Sequence, residues 1–199
     1  MFDRSFVENA VENEEKLHNL TLSGVDLSGC EFGGGEWTSV TLERCRFTGA
    51  NLSGSSFRNV QWIQCELSAA QFRDVFLSGC TFTGCKASGA DFSKCTAQHC
   101  IWTECEFRMS TWSNSRLTHT KFEQCNLSDS GMEEVRMQSI RLRQTRLNRT
   151  TLFRTSLRGV DLTDCELDGI LLAPEDCRGA IVTLPQAAGL ARLLGVIIR

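Results

Sequence analysis

The stretch ANLSGSSFRNVQWIQCELSAAQFRDVFLSGCTFTGCKASGADFSK, residues 50–94, decides the architecture. Every fifth residue in it is apolar and mostly large: Leu52, Phe57, Trp62, Leu67, Phe72, Leu77, Phe82, Ala87 and Phe92. The track runs back to Leu17 through Phe47, Leu42, Trp37, Phe32, Leu27 and Leu22. It runs forward through Ala97, Trp102, Phe107, Trp112, Leu117 and Phe122 to Leu172, without a slip. A second track lies two residues earlier and takes compact residues such as Val40, Cys45, Ala50, Ser55, Val60 and Cys65. The other three positions of each pentad are polar or glycine.

A period of five fits neither the 3.6 residues of an α-helical turn nor the two of a strand. It fits a chain that turns a corner every fifth residue and closes a square coil after about 20. Large and compact residues then point inward on each side, and successive coils stack at roughly the interstrand spacing of 4.8 Å. The expected fold is an all-β, right-handed quadrilateral β-helix with a short N-terminal cap and a C-terminal α-helical cap. Residues 1–16 form the first cap, 17–182 about eight coils and 183–199 the closing cap. Phe32, Phe47, Trp62, Phe72, Phe82, Phe92, Trp102, Phe107, Trp112 and Phe122 are its expected aromatic core.

The tandem pentads, seen in ANLSG at 50–54, ADFSK at 90–94 and VDLTD at 160–164, resemble the repeat motif of the pentapeptide-repeat family, whose fold is this right-handed coil. The segment Pro185-Gln-Ala-Ala-Gly-Leu190 is in turn similar to the closing segment of the gyrase-protecting branch, the Qnr-like and microcin-immunity-like proteins. That resemblance implies a non-enzymatic protein that binds DNA gyrase, and by extension topoisomerase IV, and protects it from an inhibitor or toxin. It also implies a homodimer joined through the C-terminal caps. Members of that branch have been viewed as DNA mimics.

Composition bounds the alternatives. With 199 residues, 41% of them hydrophobic, the chain has enough material for one continuous core. Its 24 acidic and 21 basic residues give a formal charge of −3, so bulk charge argues for neither direct DNA binding nor a membrane surface. No apolar run reaches the roughly 18 residues that span a bilayer, and the acidic opening MFDRSFVENAVENEEK is unlike a secretory leader. The expected location is the cytoplasm, where the 11 cysteines remain thiols. Ten of them sit on the compact track, and Cys177, in phase with the large track, is also expected inside.

No nucleotide-binding loop or metal-ligand spacing appears, and a flat-sided rod offers no cleft, so no enzyme, cofactor or metal is expected. His99 and His119 fall one coil apart on the outside, beside Arg116 and Arg136. Binding is left to the exterior. Asp26, Glu66, Glu106 and Asp129 share one side with basic residues, so no clean acidic stripe exists. Arg136, Arg141, Arg143, Arg146, Arg149, Arg154 and Arg158 form an acid-free basic collar spread over all four sides. The acids with Arg141, Arg143 and Arg146 are the candidate contacts. A scaffold of another pathway that uses the collar is the alternative function. Phe2 and Phe6 belong to the amphipathic N-terminal cap, and Leu184, Leu190, Leu193, Leu194, Val196 and Ile197 of the tail are the expected dimer seam, a helix folded back onto the last turn of its own chain being the alternative. A helix is expected from Pro185 to about Leu194, stopped by Gly195.

Overall fold

The computed structural model describes residues 3–197 apart from the side chain of Leu194; Phe2 lies outside that range. The five-residue rhythm becomes a parallel coil with two seven-stranded sheets. The first sheet runs from Leu17–His18 through Glu36–Thr38 and each later coil to Arg136–Gln138, and the second from Thr21–Ser23 to Arg141–Arg143. Pairing joins residues 20 apart, as in Leu17 with Trp37 and Trp102 with Phe122. The third and fourth sides are ladders of single bridges, Asp26 to Arg46 and onward to Glu166, and Glu31 to Asn51 and onward to Leu171. Four sides of five residues therefore make each coil.

Burial follows the two inward tracks. All ten aromatic residues expected in the core have no exposed surface. Because coils repeat in register, their rings form columns. Trp62, Phe82, Trp102 and Phe122 stack in sequence at 5.4, 5.7 and 4.5 Å. Phe72, Phe92 and Trp112 form a second column at 4.6 and 4.3 Å, their ring planes nearly parallel. The columns meet edge to face, as between Trp102 and Trp112 at 5.7 Å and 90°, the geometry that the ring quadrupole favours. The compact track leaves room for this. At Gly35 a Cβ would stand 2.9 Å from the Trp37 ring nitrogen.

Backbone carbonyls of the coil are engaged along the axis. Among the described residues the indole N–H groups of Trp37, Trp62 and Trp102 have no partner, whereas Trp112 donates to the Ser110 hydroxyl at 2.9 Å. A tyrosine hydroxyl in the same columns would face the same lack of acceptors, which gives a physical reason for the absence of tyrosine from the sequence.

Each corner falls on the residue two after the large one, and there the backbone turns left-handed. Gly79 has φ 64°, but Lys94, His99, Glu104 and Met109 adopt 53–59° as well. The period alone does not reveal this, since so many corner residues are not glycine. Corner N–H groups bond one coil onward, as His99 N–H does to the Thr118 carbonyl at 3.0 Å. A left-handed L-residue costs roughly 1–2 kcal/mol, and the extra unfolded-state freedom of glycine offsets part of that. Met109→Gly, at a corner that is 61% exposed with φ 57°, is therefore expected to stabilise the rod by about 0.5–1 kcal/mol, read as a higher urea midpoint.

Both ends are covered. Helix α1, Arg4–Glu12, is capped by the Asp3 carboxylate accepting from Phe6 N–H at 3.0 Å, and it buries Val7 and Ala10 on the first coil. Helix α2, Leu184–Ala191, continues as a 3-10 turn over Arg192–Leu194 and ends at Gly195 in the left-handed region. No helix of the described residues is long and apolar enough to cross a membrane. Cys177 departs from expectation: it is half-buried against the edge of the core, where the regular coil has given way to turns after Leu172.

Candidate functional site

The cysteine columns are structural. At the start of the third side of five successive coils a compact-track thiol donates to the carbonyl of the large residue of the second side one coil back: Cys45 to Leu22, Cys65 to Leu42 and Cys85 to Trp62 at 3.2–3.4 Å, then Cys105 to Phe82 and Cys125 to Trp102. Thr145 continues the column by donating to the Phe122 carbonyl. Cysteine and threonine recur there because each is small and brings one donor to a carbonyl of the coil behind, as Ser55 and Ser115 do in another column for Phe32 and Phe92. All 11 cysteines are free, and burial pushes the Cys95 thiol up to about 12. Such a thiol is a poor nucleophile at neutral pH. Among the described residues no three His, Cys, Asp or Glu side chains are placed to hold a metal.

Function therefore has to be sought on the exterior. The third side carries Asp26, Arg46, Glu66, Lys86, Glu106, Asn126, Arg146 and Glu166 on successive rungs, so three of the candidate acids fall on one ladder with a cation between each pair. Arg46 pairs with Asp26 at 2.9 Å, Asn126 donates to Glu106 at 2.9 Å, and Arg146 pairs with Glu166 at 3.2 Å. Asp129 lies at the corner of the same side. It accepts two bonds from Arg149, at 2.6 and 2.9 Å, and one from Arg108 at 3.2 Å. The Arg149 bond, with Arg108 in support, holds its carboxyl below the usual range. These acids face cations of their own chain, the opposite of a DNA-like stripe.

The same pairing divides the collar. Arg146, Arg149 and Arg154 are engaged, the last with Glu134 at 2.7 Å. Arg136, Arg141, Arg143 and Arg158 form no ion pair among the described residues. Of the three arginines expected as contacts, Arg141 and Arg143 lie together on the last strand of the second sheet, while Arg146 is around the next corner. Arg116, expected beside the histidine pair, stands in register with Arg136, and Lys121, which the sequence does not single out, stands in register with Arg141. The rings of His99 and His119 stack at 5.0 Å on the corner between the two sheets.

The C-terminal end is the most apolar part of the surface. Gln186 completes a capping box with Thr183, and its side-chain amide donates to the Leu162 and Cys165 carbonyls at 2.7 and 2.8 Å. That clamps α2 to the last coils. Leu184 is 84% and Ile197 83% exposed, and Leu193 and Val196 are also exposed. Leu190 instead packs against the chain's own core, and the side chain of Leu194 is outside the described set. Exposed Leu171, Ile181 and Phe153 extend the apolar end beyond the residues expected there.

A family model described as a pentapeptide repeat region matches residues 55–130, and one for pentapeptide repeats in eight copies matches 21–59 and 132–170. The chain belongs to the pentapeptide-repeat family. No curated protein matches it significantly. Among solved structures, the pentapeptide-repeat protein HetL of the cyanobacterium Nostoc, involved in heterocyst differentiation regulation, is 11% identical, with 92% of this chain and 95% of that one covered and a TM-score of 0.49. Full-length QnrB1, a plasmid-mediated fluoroquinolone resistance protein, is 20% identical over 91% of this chain and 100% of that one, with a TM-score of 0.29. A pentapeptide-repeat protein of the Arabidopsis thaliana thylakoid lumen is 21% identical over 65% and 72%, with a TM-score of 0.33. These pentapeptide-repeat structures have the repeat in common with this chain; what any of them binds does not transfer at such identity.

Proposed function

We propose that this pentapeptide-repeat protein is a non-enzymatic, cytoplasmic binding rod that engages DNA gyrase and shields it from an inhibitor or toxin, acting as a homodimer joined at its C-terminal ends. The observation that carries the reading is the closing segment Pro185–Leu190. In sequence it is similar to the end of the gyrase-protecting branch, and Gln186 gives it a physical task by fixing α2 so that Leu184, Leu193, Val196 and Ile197 point outward. An apolar end of this kind is stable in water when a second copy covers it. Two rods of about 35 Å each, seven spacings of about 4.8 Å, then make one long body.

One experiment with two readouts tests this. Expressed in a sensitive bacterium, the chain is expected to raise the inhibitory concentration of a quinolone, albicidin or a microcin, and to alter supercoiling by purified gyrase in the presence of that agent. In sedimentation it should run at twice its 22.2 kDa mass, and L184E/I197E should run as a monomer. Unchanged inhibition for all three agents together with unaffected supercoiling rejects the gyrase partner; a monomeric wild-type chain rejects the seam.

A further inference from the structure

Around the sixth and seventh coils the two sheets differ from the third side of the rod. On that side cations and anions alternate along the ladder from Asp26 to Glu106. Here Arg116 stands in register with Arg136 on the first sheet, and Lys121 with Arg141 on the second. Arg143 follows on the same strand as Arg141, and the stacked His99 and His119 occupy the corner between the two sheets. Cations on neighbouring rungs, about 4.8 Å apart, repel each other and lower the stability of the coil. None of the five cations forms an ion pair among the described residues. The neighbouring acids are Glu123, in register with Arg143, Asp161, whose carboxyl is lowered chiefly by Thr163 with Arg143 adding to the effect, and Glu134, which lines one shallow depression with Arg116 and Arg136 but is itself paired with Arg154.

We infer that this two-sheet face is a docking site for a carboxylate-bearing protein segment, with Arg116, Arg136, Lys121, Arg141 and Arg143 as its contacts. Guanidinium groups without internal partners are free for bidentate pairing with carboxylates, and they are less strongly hydrated than ammonium groups. The choice between a protein and a nucleic acid rests on charge. Duplex DNA presents a negative charge about every 1.7 Å, and that continuous field would press on Glu123 and Asp161 and on a chain of net charge −3. Separate carboxylates spaced by neutral residues can meet the cations and avoid the two acids. This site goes beyond the gyrase reading and does not depend on it, since any partner with such a segment satisfies it.

The test uses the purified full-length chain and a short fluorescein-labelled peptide with glutamate at every third position among serine and glycine, read by anisotropy. Its glutamine counterpart and a labelled DNA duplex serve as comparisons. The glutamate peptide is expected to bind at least about tenfold more tightly than the glutamine one, and binding should weaken as salt rises from about 50 to 300 mM. R136Q/R141Q is expected to lose about tenfold or more, and R116Q/R143Q similarly. R149Q, which removes an arginine already held by Asp129, should stay within about twofold of wild type. All these side chains are exposed, and circular dichroism checks that each variant keeps the coil. The inference fails if both double variants bind like wild type or if the glutamine peptide binds as well. Tighter binding of the duplex than of the glutamate peptide at equal salt also overturns it, in favour of a nucleic-acid partner.

Discussion

Phe92→Asp is expected to unfold the centre of the rod. Phe92 is fully buried, with its ring stacked 4.6 Å from Phe72 and 4.3 Å from Trp112 and edge-on to Phe107 at 5.8 Å. Removing a buried phenylalanine costs about 3–5 kcal/mol, and an unpaired carboxylate in that column adds several more. Together these approach the whole stability of an ordinary domain, about 5–15 kcal/mol. Each coil is held mainly by the two beside it, so the damage spreads to the rungs of Phe72 and Trp112. Ser93→Asp puts the same charge one residue away, on the solvent side, and should change stability by no more than about 0.5 kcal/mol. Thermal and urea melts followed by circular dichroism separate the two; matching melts for both variants would refute the assignment of inside and outside.

Thr155→Val is the second large effect, and it involves no change of shape. The buried Thr155 hydroxyl donates to the Met132 carbonyl at 2.6 Å and accepts from the Val135 N–H at 3.0 Å. Valine fills the same space and leaves both backbone groups unpaired in the buried interior. At about 1–3 kcal/mol for each orphaned group, the loss is expected to be about 2–4 kcal/mol. Thr150→Val should cost less, because the Leu127 carbonyl that Thr150 serves at 2.7 Å also accepts from the Ser130 hydroxyl at 2.6 Å. The check is the shift in urea midpoint at unchanged slope. Equal losses for the two variants would mean that the track is polar for some reason other than carbonyl capping.

How much of this was legible in advance varies with the residue. The inward position of Phe92 follows from counting in fives. So does the stacking of residues 20 apart, and with it the adjacency of Arg116 to Arg136. The hydroxyl of Thr155 was visible only as a compact residue, since which carbonyl lacks a donor depends on how each turn closes. Likewise, Leu190 and Leu184 look alike in the tail; the clamp of Gln186 on Leu162 and Cys165 turns one toward the core and leaves the other in water.

By itself the sequence determined the coil, its period, its core and its two caps. Burial of apolar surface at every fifth residue admits one winding of the backbone, and a slip of a single residue would turn the whole track outward. The tertiary structure alone decided which charges are spent within the rod. Arg146, Arg149 and Arg154 reach acids on neighbouring rungs, while Arg136, Arg141 and Arg143 do not. That outcome depends on side-chain reach across a corner and on the sign of the residue one coil away, and a period of five carries neither.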